Sequence, residues 1–305
     1  MSNLQNLKSA LLPPPLKAGD LLRVIAPSGA LREFEAFNQG VEIWKSRGYR
    51  IKISDNIDNR HGYLAGTDAQ RRQQLATAWQ DPECKGILCA RGGFGSTRIL
   101  EDWTWQEHII TPKWLIGFSD VTALLWSLYN AGICSLHGPV LTTLADEPES
   151  SVERLFDIVE GRAIAPLKGR GWGGGTVTGA LLPGNLTVAT HLLGTPLLPD
   201  LDGVILALED VTEAPYRIDR MLTQWRLSGA LSKVRGIALG GFTKCEAPPN
   251  IPSLTIEEVL QDRLSDLNIP IVSNLPFGHD NPNAALPVGV QVTLDATAGI
   301  LEIKK

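Results

Sequence analysis

The chain has 305 residues, of which 43% are hydrophobic, and its formal net charge is -5 at pH 7. This length allows a sizeable buried core and suggests two domains, while the acidic balance argues against nucleic acid as a main partner. The first fifteen residues lack the apolar core of a signal peptide, and no stretch approaches the roughly 18 apolar residues of a membrane span. We expect a cytoplasmic protein with no membrane partner.

Neither a metal site nor a disulfide framework is expected. The cysteines are too widely spaced for either, and a free Cys in an apolar stretch behaves as a small hydrophobe: Cys84, Cys89, Cys134 and Cys245. The histidines include no H-x-x-x-H pair: His61, His108, His137, His191 and His279. The sequence therefore predicts no metal and no cofactor.

The first half of the chain alternates short apolar runs with amphipathic or polar-faced stretches. The apolar runs predict strands at Leu21–Ala26, Tyr49–Ile53, Gly86–Ala90, Trp114–Phe118 and Ile133–Leu136. Helices are predicted over Glu33–Arg47, over a segment capped by Asp68, and after Ser119; the inward face of the first comprises Phe34, Phe37, Val41 and Trp44. This alternation implies a mostly parallel sheet, which binds ligands beyond the carboxyl ends of its strands.

A glycine-rich stretch separates the two halves. Residues 166–175 are predicted to be a linker between an N-terminal domain of residues 1–165 and a C-terminal domain of residues 176–305. Further strands are predicted at Val204–Leu208, Ile237–Leu239, Ile269–Val272, Val290–Leu294 and Ile300–Ile303, and further helices at Ser150–Glu160 and Tyr216–Leu227. The last two strands flank a plausible hairpin turn, so we expect a smaller, mixed α/β domain with antiparallel strands.

Ser119 stands where the fourth predicted strand turns into a helix. Such a turn holds a hydroxyl at the sheet edge beside the free N–H groups of the helix start, as a nucleophile with an oxyanion hole requires. The competing interpretation is that Ser119 caps the helix, with Asp120 favoured by the helix dipole. The bend also lacks the second glycine of the G-x-S-x-G elbow. A shared sheet edge with the Gly92–Gly95 loop favours the nucleophile.

A serine nucleophile needs a base, and the base needs an orienting group. His279 lies in a polar loop and is the most exposed candidate, while His137 follows a strand and is its rival. Glu209 ends an apolar strand, where a buried carboxylate needs a partner such as an imidazole N–H. Two alternatives stay open: a merely solvated His279, and a Glu209 that caps the next helix or pairs with Arg217 or Arg220.

The Arg91–Ser96 loop is rich in glycine and precedes a predicted helix. Loops of this kind expose N–H groups that bind phosphate, but this one lacks both the P-loop lysine and the G-x-G-x-x-G spacing. The same N–H groups would serve an oxyanion, and a tight turn alone would also explain the glycines.

Four stretches resemble the LD-carboxypeptidases, a family that includes the microcin C immunity peptidases. They are Ala90–Gly95 (ARGGFG), Ile116–Asp120 (IGFSD), Leu208–Asp210 followed by Tyr216–Arg220, and Pro276–His279 (PFGH). They cover most of the chain in the family's order. The resemblance implies an N-terminal α/β domain, a C-terminal domain with a β-barrel-like sheet, and a catalytic site between them.

The resemblance also implies a metal-free serine peptidase. Ser119 would be the nucleophile, His279 the general base and Glu209 its orienting group. The backbone N–H groups of Asp120 and Gly93 would form the oxyanion hole.

Two further residues, Gly92 and Asn185, are candidates for substrate binding. The family's best-known substrate is the murein tetrapeptide, which is cut between meso-diaminopimelate and the terminal D-Ala during cell-wall recycling, and its members tend to be homodimers. Two alternatives are a same-fold hydrolase of a peptidyl or aminoacyl nucleotide and, more distantly, a non-enzymatic module that binds a small ligand.

Overall fold

The computed structural model describes residues 10–105 and 111–304. Its strands are β1 (Leu21–Ile25), β2 (Arg50–Ile53), β3 (Cys84–Cys89), β4 (Trp114–Gly117), β5 (Ser135–His137), β6 (Leu167–Lys168), β7 (Arg170–Trp172), β8 (Thr176–Asn185), β9 (Ile205–Val211), β10 (Gly236–Thr243), β11 (Ile271–Ser273), β12 (Leu286–Val288), β13 (Gln291–Asp295) and β14 (Ile300–Ile303). Its helices are α1 (Phe34–Ser46), α2 (Asp68–Gln80), α3 (Ser96–Ile99), α4 (Thr122–Asn130), α5 (Leu141–Leu144), α6 (Glu149–Val159), α7 (Leu186–Leu192), α8 (Pro215–Leu227) and α9 (Ile256–Leu264).

The first sheet orders its strands β12-β5-β4-β3-β1-β2, and β1 to β5 run parallel. Its central strand β4 is buried throughout, as expected for an apolar run in a sheet covered on both faces. Helix α1 buries Phe37, Val41 and Trp44, whereas Phe34 is 48% exposed. The prediction was wrong for Phe34 because this residue opens the helix, before the buried face begins.

Helix α2 is capped by Thr67, not by Asp68 as predicted. The Thr67 hydroxyl accepts a hydrogen bond from the Gln70 N–H at 3.2 Å, and the Gln70 side chain accepts one from the Thr67 N–H at 2.9 Å. This reciprocal pair is a capping box. The Asp68 carboxylate lies one residue inside the helix and instead binds the Arg98 guanidinium.

The second sheet orders its strands β6-β14-β13-β8-β9-β10-β11-β7. Strands β8 to β11 run parallel, and the outer strands pair antiparallel. The two end strands, β6 and β7, are separated in the chain by Gly169 alone. The sheet therefore nearly closes on itself, which confirms the predicted fold class with its barrel-like sheet.

The stretch predicted to be a linker is partly built into this sheet. Residues 167–168 pair with β14 and residues 170–172 pair with β11, so they are edge strands rather than a free connection. Backbone hydrogen bonding explains the difference, since the Gly169 N–H also donates to the Gly299 carbonyl at 2.8 Å. The domain ranges 1–165 and 176–305 stay predictions.

Strand β12 returns to the first sheet although it comes late in the chain. It pairs antiparallel with β5, with Leu286 opposite His137. The sequence did not predict this strand, because three residues that include Pro287 carry no alternating pattern. The chain therefore passes between the two sheets three times, after β5, after β11 and after β12.

Helix α4 lies between the two sheets. Its residues Val121 (just before the helix), Leu124, Leu125 and Leu128 are fully buried, as predicted, in one cluster with apolar side chains of β8 and β9. The Trp126 indole N–H donates to the Pro183 carbonyl at 2.8 Å. The start of α4 is thus placed against the second sheet. Within the described residues, no helix has the length and apolar composition of a membrane span.

Candidate active site

Ser119 follows β4 at a sharp change of chain direction. Its φ is +61°, and it opens a 3-10 turn over Ser119–Val121 that leads into α4. Space is tight here: a Cβ added to Gly117 would lie 3.0 Å from Val121 and 3.1 Å from Cys89. The Ser119 side chain makes no capping bond to the turn or to α4, so the interpretation as a helix cap is wrong.

Three side chains from separate elements meet at this turn. The Ser119 Oγ lies 3.0 Å from Nε2 of His279, and Nδ1 of His279 lies 2.6 Å from Oε2 of Glu209. With the Nδ1–H donating to the carboxylate, Nε2 has a free lone pair for the serine proton. The structure therefore brings together the predicted nucleophile, base and orienting group.

Glu209 is fully buried inside β9 rather than at its end. Burial raises the pKa of the Glu209 carboxyl, and the hydrogen bond from His279 opposes that rise. Neither alternative partner binds it, since Arg217 bonds to Glu213 and Arg220 lies over the Tyr216 ring. The imidazole is the ionisable partner of the buried carboxylate.

His279 is largely buried, with 17% of its side chain exposed, so it is not a merely solvated loop residue. Burial lowers its pKa, but the hydrogen bond and charge of Glu209 outweigh burial and raise the pKa above its ordinary value. The Glu209 carboxylate thus favours the protonated form of the His279 imidazole.

The glycine-rich loop lies directly against the serine. A Cβ added to Gly92 would lie 3.1 Å from the Ser119 Cβ and 3.2 Å from its Oγ. The next residue, Gly93, has a φ of +111°, which favours glycine. The loop is tied to the serine turn by Asp120, whose carboxylate accepts a 2.8 Å bond from the Ser96 N–H.

Models of the two LD-carboxypeptidase domains match this chain. The N-terminal domain model matches residues 22–138, which contain Ser119, and the C-terminal domain model matches residues 178–294, which contain Glu209 and His279. The chain belongs to the LD-carboxypeptidase family. The predicted family and enzyme class, a serine-type carboxypeptidase, are confirmed.

Several proteins are similar to this chain over nearly its whole length. A Synechocystis sp. protein described as a putative carboxypeptidase is 60% identical over 96% of this chain and 97% of its own. The crystal structure of the muramoyltetrapeptide carboxypeptidase from Oxalobacter formigenes is 32% identical, with a TM-score of 0.82, and covers 93% of this chain and 99% of that one. The microcin C7 self-immunity protein MccF of Escherichia coli, in complex with aspartyl sulfamoyl adenosine, shares the fold, with 24% identity, a TM-score of 0.86 and coverage of 97% and 98%.

Asn185, which was predicted to contact the substrate, is buried beside Glu209 in this LD-carboxypeptidase. It is only 4% exposed, and its Nδ2 donates to Oε1 of Glu209 at 3.3 Å and to Oδ1 of Asp210 at 3.1 Å. Its Oδ1 caps α7 by accepting from the Val188 N–H. These bonds place Asn185 behind Glu209, in contact with two buried carboxylates. Its role in substrate binding stays a prediction.

The rival base, His137, is fully buried in β5. Burial, with a smaller effect of His279, lowers the pKa of its imidazole to about 3, so the ring is neutral. Its ring packs edge-on against Phe118 at 5.9 Å, and His279 alone of the two bonds to the serine. His108 lies outside the described residues.

Sequence reasoning missed Arg71. This residue is fully buried, and its Nη1 donates to the Pro27 and Gly95 carbonyls, which holds the end of the glycine-rich loop against the end of β1. Helix α2 is polar on most faces, so no apolar pattern marks Arg71 as an inward residue.

Proposed function

We propose that this family member is a serine carboxypeptidase that releases the terminal D-Ala from murein tetrapeptide. The observation that supports the proposal is the continuous hydrogen-bonded series from the Ser119 Oγ through His279 to Glu209. The substrate is suggested by likeness to the Oxalobacter formigenes enzyme, a muramoyltetrapeptide carboxypeptidase. A role in cell-wall recycling follows from that substrate.

In the proposed reaction, Ser119 Oγ attacks the carbonyl carbon of the L,D-amide while its proton passes to Nε2 of His279. The tetrahedral intermediate collapses, the C–N bond breaks, and the same proton is transferred to the leaving amino group of D-Ala. Water then attacks the acyl-enzyme with His279 as base, and the tripeptide acid leaves. Glu209 stays ionised and stabilises the imidazolium.

The oxyanion requires backbone donors beside the serine. We assign the N–H groups of Gly93 and Asp120, because the glycine-rich loop and the serine turn border the Ser119 Oγ from two sides. Each such donor typically stabilises the transition state by ~3 kcal/mol.

The test is incubation with purified murein tetrapeptide and mass spectrometry of the products. We expect the wild type to release D-Ala from the tetrapeptide and Ser119→Ala to release none. Release of D-Ala by Ser119→Ala would overturn the triad. Cleavage of a peptidyl or aminoacyl nucleotide, offered in parallel, in place of the tetrapeptide would instead support the second substrate class; the likeness to MccF concerns the fold alone.

A non-enzymatic binding module predicts that neither compound is cleaved and that no acyl-enzyme forms. A cytoplasmic location and a homodimer complete the proposal. Cell fractionation and analytical ultracentrifugation test them.

A further inference from the structure

The loop that carries His279 is anchored on both sides. It comprises residues 274–285, between β11 and β12, and is called the His279 loop below. Before the histidine, the Phe277 carbonyl accepts a bond from the Gly241 N–H at 2.9 Å, which ties the loop to the second sheet. After the histidine, the loop crosses to the first half of the chain.

Glu147 receives the loop on that side. Its Oε2 accepts a 2.8 Å hydrogen bond from the Asn283 N–H, and the Asn283 Oδ1 accepts a 3.1 Å bond from the Gly278 N–H. Glu147 is 9% exposed and Asn283 is 1% exposed, so both bonds are shielded from water. A buried carboxylate is costly unless it meets a donor, and the Asn283 N–H supplies one.

Gly278 connects these bonds to the triad. It directly precedes His279, its φ is +125°, and a Cβ added there would lie 3.0 Å from both Cβ and Oε2 of Glu209. A shift of Gly278 would therefore move the base and disturb its contact with the carboxylate. The Glu147 side chain lies two hydrogen bonds away from that position.

Glu147 belongs to a segment between the two domain models, which end at residue 138 and begin again at residue 178. The same segment makes two more bonds to the loop. The Asp146 carbonyl accepts from Asn281 Nδ2 at 2.8 Å, and Arg154 Nε donates to the Ala285 carbonyl at 3.0 Å. The connecting segment thus braces the catalytic loop.

We propose that Glu147 and Asn283 are positioning residues, which hold the His279 loop so that the imidazole meets the Ser119 Oγ. This inference rests on the proposed triad. Neither residue touches the reacting atoms, and Glu147 acts through Asn283 and Gly278.

The deciding variant is Glu147→Ala, measured at a temperature where it is folded. We expect kcat to fall by about tenfold or more with KM within about twofold, because the base is displaced while substrate contacts stay. The second-order rate at which a fluorophosphonate labels Ser119 is expected to fall by a similar factor. This labelling rate measures the reactivity of the Ser119 hydroxyl independently of any natural substrate.

Two matched variants separate the hydrogen bond from other effects. Glu147→Gln keeps an acceptor oxygen and should retain both rates within about threefold. Glu149→Ala, at an exposed neighbouring position, should change neither rate. If Glu147→Ala does not fold, Asn283→Ala is used instead, because it removes the acceptor of the Gly278 N–H. Its kcat and its rate of fluorophosphonate labelling are measured in the same way, and the same losses are expected.

Wild-type rates in a folded Glu147→Ala with only a lower melting temperature would show a purely structural role and overturn the inference. A Glu147→Gln as slow as Glu147→Ala would overturn it too. Failure of the proposed function has a different signature: the wild type itself is not labelled at Ser119, or Ser119→Ala is labelled equally.

Discussion

Ser119 adopts a φ of +61°, a conformation that costs an L-residue with a side chain roughly 1–2 kcal/mol. In return, its hydroxyl points at Nε2 of His279 from 3.0 Å away. The backbone of Ser119 is therefore strained relative to that of an ordinary turn residue. This strain accompanies the orientation of its Oγ toward His279.

Ser119→Gly should abolish D-Ala release and raise the free energy of unfolding by up to about 1 kcal/mol relative to Ser119→Ala, since glycine adopts positive φ without a Cβ clash. Both variants lack the hydroxyl, so their comparison isolates the backbone. Urea denaturation followed by circular dichroism measures the difference. Equal stabilities would show that the turn is unstrained.

If His279 is the base, as proposed, its protonation should set the pH dependence of the reaction. Its pKa lies above the ordinary value, because Glu209 outweighs the lowering effect of burial. Only neutral Nε2 can accept the Ser119 proton, so kcat/KM should fall as the pH is lowered through this raised pKa. Glu209→Gln removes the charge, and the acid limb should then move to lower pH while kcat falls by on the order of 10⁴-fold.

A pH–rate profile of D-Ala release for the wild type and Glu209→Gln checks this shift. Asp280→Asn is the matched control, because the exposed Asp280 also raises the pKa of His279 but has a smaller effect than Glu209. An acid limb that stays in place in Glu209→Gln, or moves further in Asp280→Asn, would contradict the assignment of Glu209.

At the scale of elements, the glycine-rich loop and the serine turn form one unit. Ser96 donates two hydrogen bonds to Asp120, from its N–H to the carboxylate and from its hydroxyl to the backbone carbonyl. A Cβ on Gly92 would have no room beside Ser119. The two elements come from neighbouring strands, β3 and β4. A shape change in the loop is therefore transmitted to the nucleophile.

Gly92→Ala tests this coupling. The added Cβ would stand 3.2 Å from the Ser119 Oγ, tighter than ordinary contact, so the oxygen has to shift by a few tenths of an ångström. We expect kcat to fall by about tenfold or more, with a smaller change in KM. Steady-state kinetics on the tetrapeptide provide the measurement, and wild-type kcat would show that the loop tolerates a side chain.

The sequence predicted the elements that have a strong local pattern. Apolar runs located β1 and β3 to within a few residues, and the shared edge of a parallel sheet placed Ser119 near the Gly92–Gly95 loop. Pairings between distant short segments were not predictable. Strands β6, β7 and β12 have two or three residues each, and their partners, not their own sequences, make them strands.

In the candidate site, too, some residues were predictable from the sequence and others were not. Family motifs and strand ends pointed to Ser119, Glu209 and His279, which the structure brings together. The supporting residues are different: no local sequence pattern marks the polar side chains of Arg71 and Asn283 as buried, and their burial arises only from tertiary packing.

At the scale of the whole molecule, helix α4 and strand β12 make the two sheets depend on each other. Trp126 of α4 bonds to the second sheet, and the Asn185 N–H donates to the Thr122 hydroxyl at 3.0 Å. We therefore expect one cooperative unfolding transition in urea, with coincident midpoints by tryptophan fluorescence and far-ultraviolet circular dichroism. Two resolved transitions would show that the halves unfold independently.

The late position of strand β12 in the chain also matters during synthesis on the ribosome. During synthesis the ribosome releases Ser119 long before His279 and residues 286–288 exist, so the sheet beside the nucleophile is incomplete and the base is absent. A nascent chain therefore carries an unactivated serine. On the proposed mechanism, hydrolysis becomes possible only when almost the whole polypeptide has been made.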